Sequence, residues 1–181
     1  YEIENSLRFN DDDSAYLSWT PSTAGDSHKV FTFSAWYKAS KVDTSGYSML
    51  FSWGTGNGRG QIQHRRDEGE KFKVAFTDSA GSATSVLTEM KVRDPSAWYH
   101  LIVVVDTTET TSTDRVKIYV NGSPAPLTSG STYPAENSTH DISTTTSHAI
   151  GRMSHLAGGY LDGYLAEVNF IDGQAKTPSD F

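Results

Sequence analysis

From Leu101 to Val105 the chain reads Leu-Ile-Val-Val-Val, apolar on both faces, and closes on Asp106. That pattern suits a central β-strand covered on each side. Elsewhere the same grain recurs in half-buried form. In Phe31 to Lys38, the residues Phe31, Phe33, Ala35 and Tyr37 share one face, while Thr32, Ser34, Trp36 and Lys38 share the other. One mostly apolar face is what a sheet packed on one side requires. Further strands are predicted at Ser6 to Phe9, Ala15 to Trp19, Tyr47 to Trp53, Gln61 to Arg65, Phe72 to Thr77, Ser85 to Leu87, Val116 to Val120, His148 to Arg152 and Leu161 to Ile171. The central run itself is predicted from Trp98 to Asp106. Between them lie Gly, Asn, Asp, Ser and Pro, the residues of tight turns. Asn121-Gly122 predicts a tight hairpin, because both residues accept positive φ. Eleven strands without a convincing helix point to an all-β sandwich of two antiparallel sheets. Pro124 to Ser147 reads as a long Ser/Thr-rich loop, a common seat of function, and Thr177-Pro178-Ser179-Asp180 as a helix-starting turn.

Composition narrows the partners. The 181 residues suit one domain, read as spanning residues 1–181. A net charge of −7 and a pI near 5.2 repel a polyphosphate backbone, so nucleic acid is excluded as a partner. The one basic cluster, His64-Arg65-Arg66, runs at once into Asp67, Glu68 and Glu70 and reads as the decoration of a turn. There is no cysteine, which removes disulfides, thiolate metal sites and a catalytic thiol. No segment approaches the roughly 18 consecutive apolar residues of a membrane span, so no membrane insertion is expected. The chain begins at Tyr1 rather than Met, which is read here as a segment cut from a longer chain.

Six segments in order carry a family resemblance: SLRFNDDDSAYLSW, FTFSAWYK, WYHLIVVVD, RVKIYVNG, AIGR and LDGYLAEVNFIDGQAKTPSDF. Together they resemble the LamG-like, concanavalin A-like jelly-roll lectin and glucanase superfamily, in the subtype common in tailed-phage virion proteins. The resemblance covers nearly the whole chain. It implies a jelly-roll sandwich with the Trp of FTFSAWYK in its core. One architecture hosts lectins, glycan hydrolases, adhesion modules and structural domains, so it does not by itself imply a ligand.

Chemistry is judged residue by residue. Glycan hydrolases need two carboxylates on one strand face, in a Glu-x-Asp-x-x-Glu type of alternation, and no such pattern exists here. Asp67-Glu68-Gly69-Glu70 reads as a solvated hairpin turn. No Gly-x-Ser-x-Gly elbow is present, and His28, His64, His100, His140, His148 and His155 are scattered without metal-ligand spacing. His100 is read as orienting a strand edge or the core Trp. The resemblance implies that relatives often hold one structural Ca²⁺ through an acidic residue of the last long strand, which many write as Asp-Glu. Here that position reads Ala166-Glu167, and one carboxylate is lost. Glu167, with Asp11 and Asp13 of the Asp11-Asp12-Asp13 run, are the candidate ligands, the run being alternatively a solvated turn. No other cofactor is expected.

Sugar recognition uses aromatic faces together with planar polar groups. Trp36 and Trp98 match packing positions, while Trp19 and Trp53 sit at strand ends and serve either role. The candidate ligand contacts are Trp53, Arg59, Tyr133, Arg152, His155 and Tyr160, and the stretch Arg152 to Tyr160 is the most site-like. The expectation is a non-enzymatic module that binds a surface glycan or polysaccharide and lies on a phage particle or an extracellular surface. The alternative is a decoration or oligomerisation domain of a capsid, tail or fibre that contacts only other virion proteins or copies of itself.

Overall fold

A computed structural model describes residues 3–181. The strands are β1 Leu7–Phe9, β2 Leu17–Trp19, β3 Val30–Ala39, β4 Tyr47–Trp53, β5 Gly60–Arg65, β6 Lys71–Thr77, β7 Ala83–Leu87, β8 Tyr99–Asp106, β9 Val116–Val120, β10 Ser123–Pro124, β11 His148–Ile150 and β12 Gly163–Asp172. They form two six-stranded antiparallel sheets, ordered β1-β12-β3-β8-β9-β10 and β2-β11-β4-β5-β6-β7. This is the expected all-β jelly roll. Each of the eleven expected strands forms, and the two-residue β10 is added by the Asn121-Gly122 hairpin, whose φ angles are +51° and +79°. Thr177–Asp180 closes in a capping box ahead of a short 3-10 turn, as its sequence implied.

The alternation of β3 sets the core. Phe31, Phe33, Ala35 and Tyr37 have no exposed surface and meet Phe51, Trp53, Ile62, Phe72 and Val74 of the opposite sheet. Phe33 stacks on Phe51 with ring centroids 5.1 Å apart, and Phe31 meets Trp53 edge-on at 5.4 Å.

The core tryptophan is Trp53, and the expectation for Trp36 is corrected. Trp36 lies on the outer face of β3 and stacks on His100 at 4.8 Å, while Tyr37 takes the core position beside it. Trp98 meets Tyr164 edge-on at 6.4 Å, and both Trp98 and Tyr164 are only half-buried.

The central strand β8 is covered on both sides, as its composition implied. Leu101, Val103 and Val105 belong to the core, and outward-facing Ile102 and Val104 are buried too. Their cover is the segment after β12. Thr32 Oγ1 donates to the carbonyl of Gln174 at 2.8 Å and accepts from the Lys176 amide at 2.9 Å. Phe181 then meets His100 edge-on at 6.0 Å.

The long loop after β10 is a packed cover. It bridges back to β7 at Ser85–Thr132 and buries His140 and Ile142. Among the described residues no helix is long and apolar enough to cross a membrane.

Candidate functional site

After β11 the chain folds back over the outer face of the second sheet. The Gly151 amide donates to the carbonyl of Leu50 at 3.4 Å, Ser52 Oγ donates to that of Arg152 at 2.8 Å, and Ser154 Oγ to that of Gly54 at 2.7 Å. The return limb is fixed where the Met49 amide donates to the Gly159 carbonyl at 2.9 Å. This excursion, residues 151 to 160, buries Met49 and Ser52 on what is otherwise a polar surface. It is the stretch that sequence reasoning ranked most site-like.

The excursion gathers three of the six candidate ligand contacts. Gly54, to which Ser154 is bonded, packs so closely on Arg59 that a Cβ there would lie 2.8 Å from the Arg59 Cα. Arg59 is near enough that its charge, after burial, holds the His155 imidazole below its ordinary pKa. The Arg152 guanidinium lies over the Tyr16 ring, 3.7 Å from its centroid. Tyr16, Arg152, Ser154–His155 and Arg59 thus follow one another across β2, β11, β4 and β5. At about 4.8 Å per strand that row spans roughly 15 Å.

The electrostatics of this row are distinctive. Arg65 and Lys73, further along the same face, are tied to Asp67 and Glu68 by contacts of 2.7 to 3.1 Å. Among the described residues neither Arg59 nor Arg152 has a carboxylate partner. Arg59 spends one N–H on the Gly56 carbonyl at 3.2 Å, and Arg152 Nε has no hydrogen-bond acceptor. Two guanidiniums without carboxylate partners carry the donor chemistry that an anion or an array of hydroxyls accepts.

The remaining candidates do not join them. Trp53 has no accessible surface and spends its indole N–H on the Gly58 carbonyl at 3.0 Å, so it packs the core and leaves the ligand-contact set. Tyr133 is half-buried against the core beside β7, at the opposite edge of the sheet from Arg152. Tyr160 closes the excursion as a half-buried residue next to Gly159, which abuts the Tyr47 ring.

The three carboxylates considered for calcium are likewise not brought together. Asp11 and Asp13 sit in the turn between β1 and β2, bonded to Lys41 at 3.5 Å and Asn10 at 2.7 Å respectively. Glu167 lies in a bulge of β12 with φ +50°, beyond the far end of β1. Gly163, which pairs with the other end of β1, is already about 13 Å from Glu167 along the strand. Among the described residues no three His, Asp or Glu side chains are placed to hold a metal ion.

The basic cluster His64-Arg65-Arg66 also reads differently in three dimensions. Only Arg65 decorates the surface. His64 is fully buried, with Tyr37 Oη 2.9 Å from Nδ1 and Glu70 Oε2 2.8 Å from Nε2. Arg66 donates to Asp43 at 2.9 Å and to Ser48 at 2.5 Å. Burial, with the Arg66 charge, pulls the His64 pKa down to about 4, and burial raises those of Glu70 and Tyr37. The arrangement has the order of a proton relay, but no face of His64 or Tyr37 is open to a substrate. Glu70 reaches this network because it closes the β5–β6 turn at φ +62°, which points it inward.

Sequence reasoning missed Tyr16 and left Trp19 undecided. Tyr16 is 42% exposed and Trp19 40% exposed. The signal was present in Ala15 to Trp19, where large aromatics flank a strand too short to bury both.

Five clefts of the described surface are lined by at most one carboxylate side chain each: Glu167 in two, Asp172 in one and none in the other two. The paired acid and nucleophile of a glycan hydrolase have no counterpart there.

Two facing antiparallel six-stranded sheets, with a polar outer face walled by a loop, define a lectin-type jelly roll. The Laminin_G_3 profile, described as the concanavalin A-like lectin/glucanases superfamily, matches residues 11–180, and the chain belongs to that family. A search of curated protein sequences found no significant match. Among solved structures the chain is similar to the native heptameric SAP-like pentraxin from Limulus polyphemus, with 17% identity, TM-score 0.59, and coverage of 91% of this chain and 72% of that one. It is similar to the Ruminococcus gnavus IT-sialidase CBM40 bound to α2,3-sialyllactose, with 10% identity, TM-score 0.59, and coverage of 92% and 95%. It also resembles the NanB sialidase from Streptococcus pneumoniae, with 15% identity and TM-score 0.61, where 99% of this chain matches only 28% of that one. The chain therefore spans about a quarter of that sialidase. At these identities the likeness is one of fold.

Proposed function

We propose that this domain is a non-enzymatic glycan-binding module whose ligand is an acidic sugar held on the outer face of the second sheet. The carrying observation is the pair Arg59 and Arg152, left without carboxylate partners in a chain of net charge −7. A sugar carboxylate or sulfate accepts from Arg152, with Arg59 further along the row for a neighbouring group of the same chain, and half-exposed Tyr16 offers an apolar surface to the ring. The CBM40 bound to sialyllactose supports the reading by analogy of fold, and the absence of paired carboxylates from the described clefts supports binding without turnover. The test is a glycan array probed with the purified domain. Selective retention on carboxylated or sulfated glycans is expected, and equal retention on neutral glycans contradicts the reading.

The proposed address is a phage particle or another extracellular surface, where the module serves host attachment. It rests on the order of the six sequence segments, and proteomics of purified particles tests it. A second reading, contact with virion proteins or with further copies of the chain, is favoured by one feature. Leu7, Leu17 and Val168 are exposed along an apolar groove where the edges of the two sheets meet. The heptameric pentraxin shows that a similar fold assembles.

A further inference from the structure

The edge strand β2 ends on the exposed Trp19 and is preceded by the exposed Tyr16, and only Tyr16 belongs to the arginine row. Trp19, three residues on, faces the mouth between the sheets. Its indole stacks on His148 at 5.3 Å and on Phe51 at 6.0 Å, with interplanar angles of 21° in both cases. His148 is pinned by contacts to the carbonyls of Thr146 at 2.9 Å and Ile142 at 2.5 Å, so the plane against which Trp19 rests is fixed. A cleft of about 210 Å³ opens beside the indole, mostly apolar in its lining, with Thr23, Ser143 and Asp172 among the residues around it.

The carboxylate of that lining is preset. Asp172 accepts from the Asp26 amide and from Ser143 Oγ. Both carboxylate oxygens are thus engaged, which holds the group in one orientation at the edge of the cleft. Neither lysine nor arginine lines the cleft, and both ring nitrogens of His148 are engaged. An aromatic plane in a mostly apolar cleft that holds one carboxylate and neither lysine nor arginine suits the apolar face of an uncharged sugar ring and disfavours an acidic one.

We infer that Trp19, Thr23 and Asp172 form a second sugar subsite, for a neutral unit of the same polysaccharide whose acidic unit lies on Arg152 and Tyr16. This rests on the acidic-glycan reading above and sharpens it. Tyr16 and Trp19 are about 10 Å apart along β2, a span for a short oligosaccharide rather than one ring. Because β2 is an edge strand, a chain lying on the outer face of the sheet can pass round it into the cleft. The ligand class is therefore a polysaccharide in which charged and uncharged sugars alternate.

Affinity electrophoresis of the whole chain separates the outcomes. The gels contain hyaluronan or chondroitin, which alternate acidic and neutral units, or polygalacturonate or alginate, in which every unit is charged. Wild type is expected to be retarded most by the alternating polymers. Trp19→Leu, which keeps apolar packing on Phe51, is expected to bind them at least tenfold more weakly, with Trp19→Phe within about threefold of wild type. Binding of polygalacturonate should change little. Equal retardation of Trp19→Leu and wild type by the alternating polymers, with an unchanged melting temperature, overturns the subsite and leaves the arginine row standing. Failure of all four polymers to retard wild type overturns the acidic-glycan reading itself.

Discussion

His140 is the residue with most to say about acid stability. It is fully buried among Phe31, Trp53 and Phe76, and neither ring nitrogen has a hydrogen-bond partner among the described residues. Burial, with the nearby charge of His28, pulls its pKa down to about 4, the same value that burial and Arg66 give His64. In the unfolded chain both take up a proton near pH 6.5. Between those values the unfolded state binds protons that the native state refuses, so the stability these residues allow is complete above about pH 6.5 and is lost as pH falls toward 4. Glu70, whose carboxyl is raised by burial, acts in the opposite sense, because its native proton is one that the unfolded chain has already released. Thermal melts from pH 7 to pH 4.5 should therefore show a falling Tm. His140→Leu should stay within about 1 kcal/mol of wild type at pH 7, since no hydrogen bond is lost, and should flatten the acid limb. A variant with the full wild-type pH dependence contradicts this account of His140.

At the scale of elements, local alternation made the sheets legible and tertiary cover hid the rest. The period-two pattern of Phe31 to Lys38 identifies β3 and its core face without knowledge of any partner strand. Nothing in that pattern shows that Trp36 packs on His100 outside the sandwich while Trp53 fills it, since both tryptophans sit in apolar strands. The charged chain neighbours of His64 imply a surface position. His64 is buried because Glu70 and Arg66 are folded in with it. The site was legible to the extent that Arg152 and His155 lie in one glycine-rich stretch. Its link to Arg59 and Tyr16 runs through strand order, which no local signal encodes.

The apolar outer face of β8 gives an element-scale test. Removing residues 173–181 uncovers Ile102 and Val104 and leaves Thr32 without two of its hydrogen bonds. At 1.5 to 3 kcal/mol per buried aliphatic side chain, the loss is expected to be roughly 3 to 6 kcal/mol by urea unfolding. An unchanged midpoint would show that another segment supplies the cover.

For the whole molecule, the fold keeps the hydrophobic core apart from the face proposed to bind glycan. The core lies between the sheets, and the covers at β8 and the sandwich end protect it. The row from Tyr16 to Arg59 lies outside that core on a loop excursion and a sheet face. It places two guanidiniums without carboxylate partners on an acidic protein, a patch that net charge alone does not locate. Titration calorimetry of the best-retained acidic glycan against wild type and the Arg59→Ala/Arg152→Ala double variant tests that claim most directly. Loss of the charge-assisted hydrogen bonds should cost about 3 kcal/mol, or about a hundredfold in Kd, with Tm unchanged because neither arginine contributes to the core. Undiminished affinity in the double variant, at wild-type Tm, would contradict the account.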